Sequence, residues 1–401
     1  MTFPFAPRSY LRPRKGQGSA PVTQVEVFFD LVFAFAVTQL AATLYTDLTP
    51  AGLLHTLMLF AAVWWVWVYT AWVTNWLDPR HRPVQLMLIA LSFLGLLLSA
   101  SLPGAFAARG LSFAAGYVVM QLGRSLFMLW AVRGHHAGNF RNMRRIAIWF
   151  SLSGLFWLAG GLAGGQLREK LWLLALAVDI SAPAMGYYVP GLGRSATADW
   201  NIDSYHLAER CAGFILIALG ESITVTGAAF FALHWDGLNL TAFFVAFMSS
   251  VALWWIYFDN AAERTADAFA HAADPGRIAR AAYTYLHGLL VAGIIADAAA
   301  DALLLHEPGA PASAASGLMI LGGPALYLLG NGLFRSRLAP RFPPSHAYGM
   351  LLLGGLVLAA PELSELALAA AVAAVLVFVA VLSEILLRRR GPGARQPGVK
   401  P

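Results

Sequence analysis

The chain has 401 residues, of which 59% are hydrophobic and only 12% charged, whereas a soluble domain is roughly 45–50% apolar and about 25% charged. That balance excludes a water-soluble globular protein. The single cysteine, Cys211, excludes an intrachain disulfide and any site built from several cysteine ligands.

In chain order, residues 1–20 are rich in Pro, Gly and basic side chains and are expected to form a disordered tail. No small-x-small cleavage site closely follows the first apolar run, so that run is expected to be retained as a helix rather than removed as a signal peptide. Apolar runs of about 20 residues then recur, the length with which an α-helix crosses about 30 Å of hydrocarbon. Backbone groups find no water there, which selects helices over strands. The predicted spans are 25–45, 51–74, 84–103, 111–133, 146–163, 170–190, 206–229, 240–261, 280–303, 317–334, 347–360 and 366–387, the eleventh being short. Residues 391–401 are expected to be a second disordered tail. The predicted fold is therefore all-α, a polytopic membrane protein of about twelve transmembrane helices.

Charge placement tests that topology, because Lys and Arg are retained on the cytoplasmic side during insertion. With the N-terminus inside, 22 of the 27 basic residues fall in the tails and even-numbered connections. Only Arg109, Arg168 and Lys170 fall on the other side, while Arg124 and Arg210 lie within helices. Both termini are expected in the cytoplasm. The net charge of +6 then follows from topology and calls for no nucleic-acid partner; the expected partner is the lipid bilayer.

The spans divide into two six-helix halves, 21–190 and 191–390. The first helix opens VEVFFDLVFAFAVTQLA and the seventh AERCAGFILIALGESIT, each with a carboxylate at the membrane edge, Glu26 and Glu209. Each is followed by a helix with a Trp pair in its second half, Trp64–Trp65 and Trp254–Trp255. Six helices per half would make the repeats parallel. Trp also gathers at membrane interfaces irrespective of any repeat.

Ionisable groups inside a bilayer are costly and are functional candidates by default. Here they are Asp30, Arg124, Asp179, Arg210, Glu221, Asp297 and Asp301. From a rise of about 1.5 Å per residue, Asp179 lies near the bilayer centre, Arg124 roughly 3 Å to the cytoplasmic side and Glu221 roughly 5 Å to the outer side. These three are close enough in depth to meet, either as a structural ion pair or as a site for ions or protons. Arg210 and Glu221 share a helix face, and Gly220 beside Glu221 permits close approach, so LGESIT is the leading candidate for the core of a site. Thr23 and Glu26 fit a helix capping box. Asp30, a turn and a half further in, has no such explanation. Asp297 and Asp301 share a face of the ninth helix, and two carboxylates that close can share a proton; Asp301 can equally reach the outer surface. His55, His206 and His287 stand outside any metal-ligand spacing and are expected to be core or interface histidines, and His135–His136 a solvated loop. No phosphate loop, nucleophile elbow or dinucleotide fingerprint is present, so neither catalysis nor a metal or cofactor is expected.

VEVFFDLVFAFAVTQLA at 25–41, the Glu-Arg…LIALGESIT run at 209–224, LWWIYFD at 253–259 and YLHGLLVAGI at 285–294 together resemble the bacterial low temperature requirement protein A (LtrA) family. Cys211 and Ala212 stand where that family usually has aliphatic residues. The resemblance implies a multipass protein of the bacterial inner membrane, associated by name with growth at low temperature, and brings no established site residues. FFDLVFAFAVTQL at 28–40 is also similar to the Phe-Ser-Asp start of the first helix in potassium channels built from two six-helix repeats; Phe29 replaces the serine and Glu26 the preceding basic residue. The expected function is a transporter or channel for a small ion or solute, proton-linked through Glu221, Asp179 or Asp30, with the pathway between the halves. The alternative is a non-transporting membrane protein that supports the envelope or low-temperature growth. Whether copies of the chain associate is left open.

Overall fold

A computed structural model describes residues 9–12, 21–133, 137–196, 200, 202–259, 269, 272, 274–337 and 341–389. The tail expected at 391–401, most of that at 1–20, His135–His136 and most of the connection after the eighth span lie outside them. The described residues hold twelve helices of more than one turn and no strand. They are α1 (Gln24–Thr46), α2 (Pro50–Trp76), α3 (Arg82–Ser101), α4 (Gly110–Val132), α5 (Ala137–Leu162), α6 (Gly165–Ala184), α7 (Ser204–Phe231), α8 (Gly237–Phe258), α9 (Pro275–His306), α10 (Ala314–Ser336), α11 (Pro344–Ala359) and α12 (Glu365–Arg389). Ten of these are long and apolar enough to cross a membrane. The other two are α6, whose first turns carry Arg168, Glu169 and Lys170, and α11, which has 16 residues.

Local chemistry sets the helix ends. Thr49 accepts from the Gly52 amide at 3.1 Å with Pro50 at the first helical position, Asp236 from Asn239 at 2.8 Å and Asp274 from Arg277 at 2.9 Å; each satisfies an amide with no partner inside its helix. Helix α6 runs 165–184, not 170–190 as expected. It starts after a turn at Gly165 (φ 55°), and Pro183 closes it ahead of the left-handed pair Gly186 and Tyr187 (φ 61° and 49°). Helix α9 starts five residues earlier than expected, and its stretch Ala279–Leu286 is wound as a π-helix, a wide turn that is uncommon and costs regular hydrogen bonding.

The chain forms two compact units, one of residues 1–217 and 270–284, the other of 218–269 and 285–401. The boundary falls inside α7 rather than at 190, so the first turns of α7 pack with the first six helices.

In the first unit, α1 packs on α2 and α3, α4 on α5, and α5 on α6. Helix α2 is its core: every residue from Ala62 to Trp76 is buried, Trp67 completely. A side chain buried on all faces of a helix marks a span surrounded by other helices rather than by lipid. The segment Ser9–Arg12, expected to be disordered, is held in place. Asp78 donates its amide to the Tyr10 carbonyl at 2.9 Å, and Arg12 donates to the Trp76 carbonyl at 2.8 Å. Burial alone would push the Asp78 carboxyl up, but hydrogen bonds from Arg80 and its charge bring it below the usual carboxylate range. Arg168 and Arg109, two of the three exceptions to the charge bias, are spent on the backbone. Arg168 donates to the Ala105 and Ala107 carbonyls at 2.9 and 2.7 Å, and Arg109 to Ala100.

In the second unit, α9 packs on α10, α8 on α12, and α11 between α10 and α12. The α9–α10 contact is backbone to backbone. A Cβ on Gly323 would stand 2.7 Å from the Asp297 nitrogen, and one on Gly293 would stand 2.8 Å from the Tyr327 nitrogen. Glycine at both positions is what lets two helices approach this closely without help from water. The Trp pairs differ between the units: Trp64 and Trp65 are buried, whereas Trp254 is exposed.

Candidate functional site

Buried charge collects at three places. The first is a cluster in the first unit centred on Arg210, which α7 brings against α1 and α2. Arg210 donates to Glu26 at 3.0 Å, to Asp30 at 2.6 Å and to the Thr74 hydroxyl at 3.0 Å. Arg12 also donates to Glu26, at 2.9 and 3.0 Å. Glu26 completes the reach-back of the capping box by accepting from the Thr23 amide at 2.9 Å. The Trp67 indole donates to Asp30 at 2.7 Å. His206 is held on both ring nitrogens, Nδ1 lying 3.3 Å from the Asn75 amide nitrogen and Nε2 3.0 Å from both Glu26 and the Arg12 guanidinium, while Asn75 Oδ1 accepts from the Asp203 amide. With that imidazole neutral, two guanidinium groups face two carboxylates and the cluster has no net charge.

The second place spans α6, α4 and α2. Asp179 accepts from Tyr117 at 2.7 Å and from the Trp157 indole at 3.0 Å. Gln121 donates to the Tyr117 hydroxyl at 3.1 Å and accepts from Arg124, which also donates to Thr70 and to the Val66 carbonyl at 3.1 Å each. Arg124 and Asp179 thus occupy neighbouring depths as expected, but Gln121 and Tyr117 stand between them. Glu221 belongs to the second unit, where it is half-buried, while Gly220 is exposed with open space beside its Cα. In that half of α7 the buried side chains are Ala218, Leu219, Ser222, Thr226 and Phe230, a face centred away from Glu221.

The third place is the pair on α9. Asp297 and Asp301 are 4% and 5% exposed, so Asp301 does not reach the outer surface. Ser249 on α8 donates to Asp297 at 3.1 Å, and Thr226 on α7 donates to Asp301 at 3.3 Å. Both carboxyls line a small cavity of about 20 Å³, room for about one water, among α8, α9, α10 and α12, otherwise walled by small and aliphatic residues such as Ala246, Ala300 and Ile320. Among the described residues no Arg, Lys or His bonds either carboxyl. The Ser222 hydroxyl, one turn before Thr226, is buried without a hydrogen bond. Two adjacent carboxyls in an apolar enclosure cannot both hold negative charge unaided, so the pair must carry protons or attract a cation. This is the site with the strongest unmet demand for a small positive species.

The sequence marks Asp30, Glu26, Arg210, Arg124, Asp179, Asp297, Asp301 and Glu221, but not the pairing of Arg210 with Glu26 and Asp30 nor the other partners. Arg12 looked like one of several tail basics. Asn75, Thr74, Gln121, Ser249 and Thr226 are neutral, and nothing in one sequence separates a buried amide or hydroxyl at such positions from an ordinary one. His287 is a satisfied core histidine, bonded to the Tyr257 hydroxyl at 2.9 Å, and His55 pairs with Glu169 at 2.9 Å near the helix ends. Among the described residues no three His, Cys, Asp or Glu side chains converge as a metal site would require.

Comparison with known proteins agrees with this architecture. The family model for the bacterial low temperature requirement A protein (LtrA) matches residues 21–381. The uncharacterized protein RA0937 of Rhizobium meliloti (strain 1021) is 38% identical over 365 residues, 90% of this chain and 89% of that one. No solved structure matches. With that family model matching residues 21–381 and ten helices long and apolar enough to cross a membrane among the described residues, the chain belongs to the bacterial low temperature requirement A family and is a multi-pass membrane protein.

Proposed function

We propose that this protein is a transporter or channel that moves protons or a small cation, with Asp297 and Asp301 as the groups that carry or bind the moving species. The observation that supports this reading is the pair itself: two buried carboxyls, hydroxyl-lined, facing a cavity, with no basic partner among the described residues. Intramembrane carboxyls in that state recur in proton relays and ion pathways. Glu221, Asp179 and Asp30 are secondary candidates. Asp30 is already matched by Arg210, and Asp179 by hydroxyl and indole donors. In this reading the protein is not an enzyme, lies in the bacterial inner membrane with both termini in the cytoplasm as the placement of its Arg residues favours, and has the bilayer and a small ion as its partners.

The test is flux in proteoliposomes under an imposed potential, read with a pH dye for protons and by isotope uptake for sodium and potassium. Wild-type vesicles are expected to pass one of these ions faster than empty ones. Asp297→Asn and Asp301→Asn are each expected to bring that flux down to the empty-vesicle leak while leaving the protein folded. Wild-type vesicles that leak no faster than empty ones to all three ions would remove the reading.

A second reading, a non-transporting protein that supports the envelope or growth in the cold, is favoured by the Arg210 cluster. That cluster ties α1, α2 and α7 together with balanced charge, as a scaffold requires. It predicts full function with Asp297→Asn and Asp301→Asn.

A further inference from the structure

The first unit contains a cavity that the acidic pair and the Arg210 cluster do not use. It lies between the ends of α2 and α6, the interior of α4 and the π-helical start of α9, and has an inner volume of about 20 Å³ that opens outward at its rim. Two guanidinium groups line it, Arg124 and Arg280. Arg124 is 1% exposed, and every group it touches is neutral: the Val66 carbonyl, the Thr70 hydroxyl, the Gln121 amide, and the rings of Tyr69 and Phe150 at 5.5 and 5.8 Å. Asp179 is reached from it only through Gln121 and Tyr117. Arg280, half-buried at the rim, donates to the Pro183 carbonyl at 2.8 Å. Among the described residues no carboxylate bonds either group and none lines the cavity. The aromatic wall is held in place: the Trp72 indole donates to the Thr284 hydroxyl at 2.9 Å, and the Tyr69 and Tyr187 hydroxyls bond each other.

A buried cation whose partners are all neutral leaves most of its desolvation cost unmet, and an anion in the cavity would meet it. The two guanidinium groups offer planar forks suited to an oxyanion. Depth indicates which oxyanion. Trp72 and Trp76 lie in the last turn and a half of α2, Pro183 at the end of α6 and Arg280 near the start of α9. This is the level of the membrane interface, where Trp and Tyr gather and where the fixed anions are phosphates. From there the cavity runs inward to Arg124, eight residues before the end of α4.

We propose that this cavity binds a phosphate oxyanion between Arg124 and Arg280, walled by Trp72, Trp76, Tyr187 and Trp200. The phosphate comes from a phospholipid headgroup or from free phosphate in solution. The site is independent of the transport reading.

The test uses the purified full chain in two arms. In nanodiscs of phosphatidylcholine alone, binding of radiolabelled inorganic phosphate is measured by equilibrium dialysis. In discs that also contain phosphatidylglycerol, the protein is extracted into detergent and retained lipid is read by native mass spectrometry. At least one probe is expected to bind. Arg280→Gln is expected to weaken that binding about tenfold or more, as loss of a charged hydrogen-bond donor does. Arg277→Gln, at an exposed arginine on the same helix start that does not line the cavity, is expected to leave it unchanged. Arg280→Lys, which keeps the charge but not the fork, is expected to fall between. Retained phosphatidylglycerol with no uptake of inorganic phosphate assigns the headgroup; uptake in the neutral discs assigns the free anion. Failure of both probes to bind the wild type, or wild-type affinity in both Arg280 variants, overturns the proposal.

Discussion

Replacing Arg210 by Gln should remove most of the folded protein from the membrane, and adding Asp30→Asn to the same chain should restore much of it. Arg210 is the guanidinium shared by Glu26 and Asp30, and all three side chains are enclosed. Its loss leaves Asp30 with only the Trp67 indole as donor and Glu26 with Arg12, His206 and the Thr23 amide. Breaking a buried pair from one side costs roughly 3–5 kcal/mol, because an unmatched charge stays behind, whereas removing both members costs far less. That is a large share of the roughly 5–15 kcal/mol by which folded domains are held. Glutamine keeps much of the volume, so the effect isolates charge. Extraction of membranes, size-exclusion chromatography and a melting curve in detergent measure it. A single variant that melts with the wild type, or a double variant no better than the single, would show that the cluster does not hold α1, α2 and α7 together.

The second large effect is expected at the glycine contact between α9 and α10. A methyl group on Gly323 meets the Asp297 nitrogen at 2.7 Å and the Gly293 carbonyl oxygen at 3.0 Å. Both are backbone atoms and neither can swing aside, so the helices must part. Overpacking of this kind costs about 1–3 kcal/mol, and the gain of about 1 kcal/mol in helix propensity on leaving glycine offsets only part of it. Gly323→Ala should therefore lower the melting temperature. Gly220→Ala, with nothing within 4 Å of the added carbon, should leave it unchanged or raise it. Because the contact sits at Asp297, the Gly323 variant should also disturb any ion flux through the acidic pair. A melting curve for Gly323→Ala at or above that of the wild type would contradict the close packing.

The fold was legible in the sequence because a bilayer permits so few solutions. Twelve helices follow from run length, and the boundaries miss by most at α5, which starts at Ala137 rather than 146 through the basic stretch Arg141–Arg145, at Gly165 and Pro183 of α6 and at the early start of α9. The site was legible as a set of charges rather than as a set of contacts. Asp30 was marked by having no cap to serve, and it does serve another purpose. Its partner Arg210 was instead grouped with Glu221, since eleven residues bring a helix back to the same face. A shared face does not mean a shared neighbour: α7 changes packing unit after Ile217, and from there Ser222 and Thr226 point inward. For Asp297 and Asp301 the sequence leaves open whether Asp301 reaches the outer surface, and only burial distinguishes that from an enclosed pair. Arg12 was beyond reach, because a basic residue in a Pro-rich tail reads as solvated unless its contacts are seen.

The pairing of α1 with α7 also has a timetable. Asp30 and Arg210 are 180 positions apart, and at about 5–20 residues per second the ribosome separates their emergence by roughly 10–40 s. Arg12 precedes Glu26 by 14 positions and is already made when α1 enters the bilayer, and its anchors, the Thr74 and Trp76 carbonyls, follow with the next helix. Asp30 must wait, unneutralised or protonated, until five more helices and the first turns of α7 have been synthesised. A chain lacking Arg12 should therefore accumulate less well than the wild type, and least well in the cold, where that wait is longest.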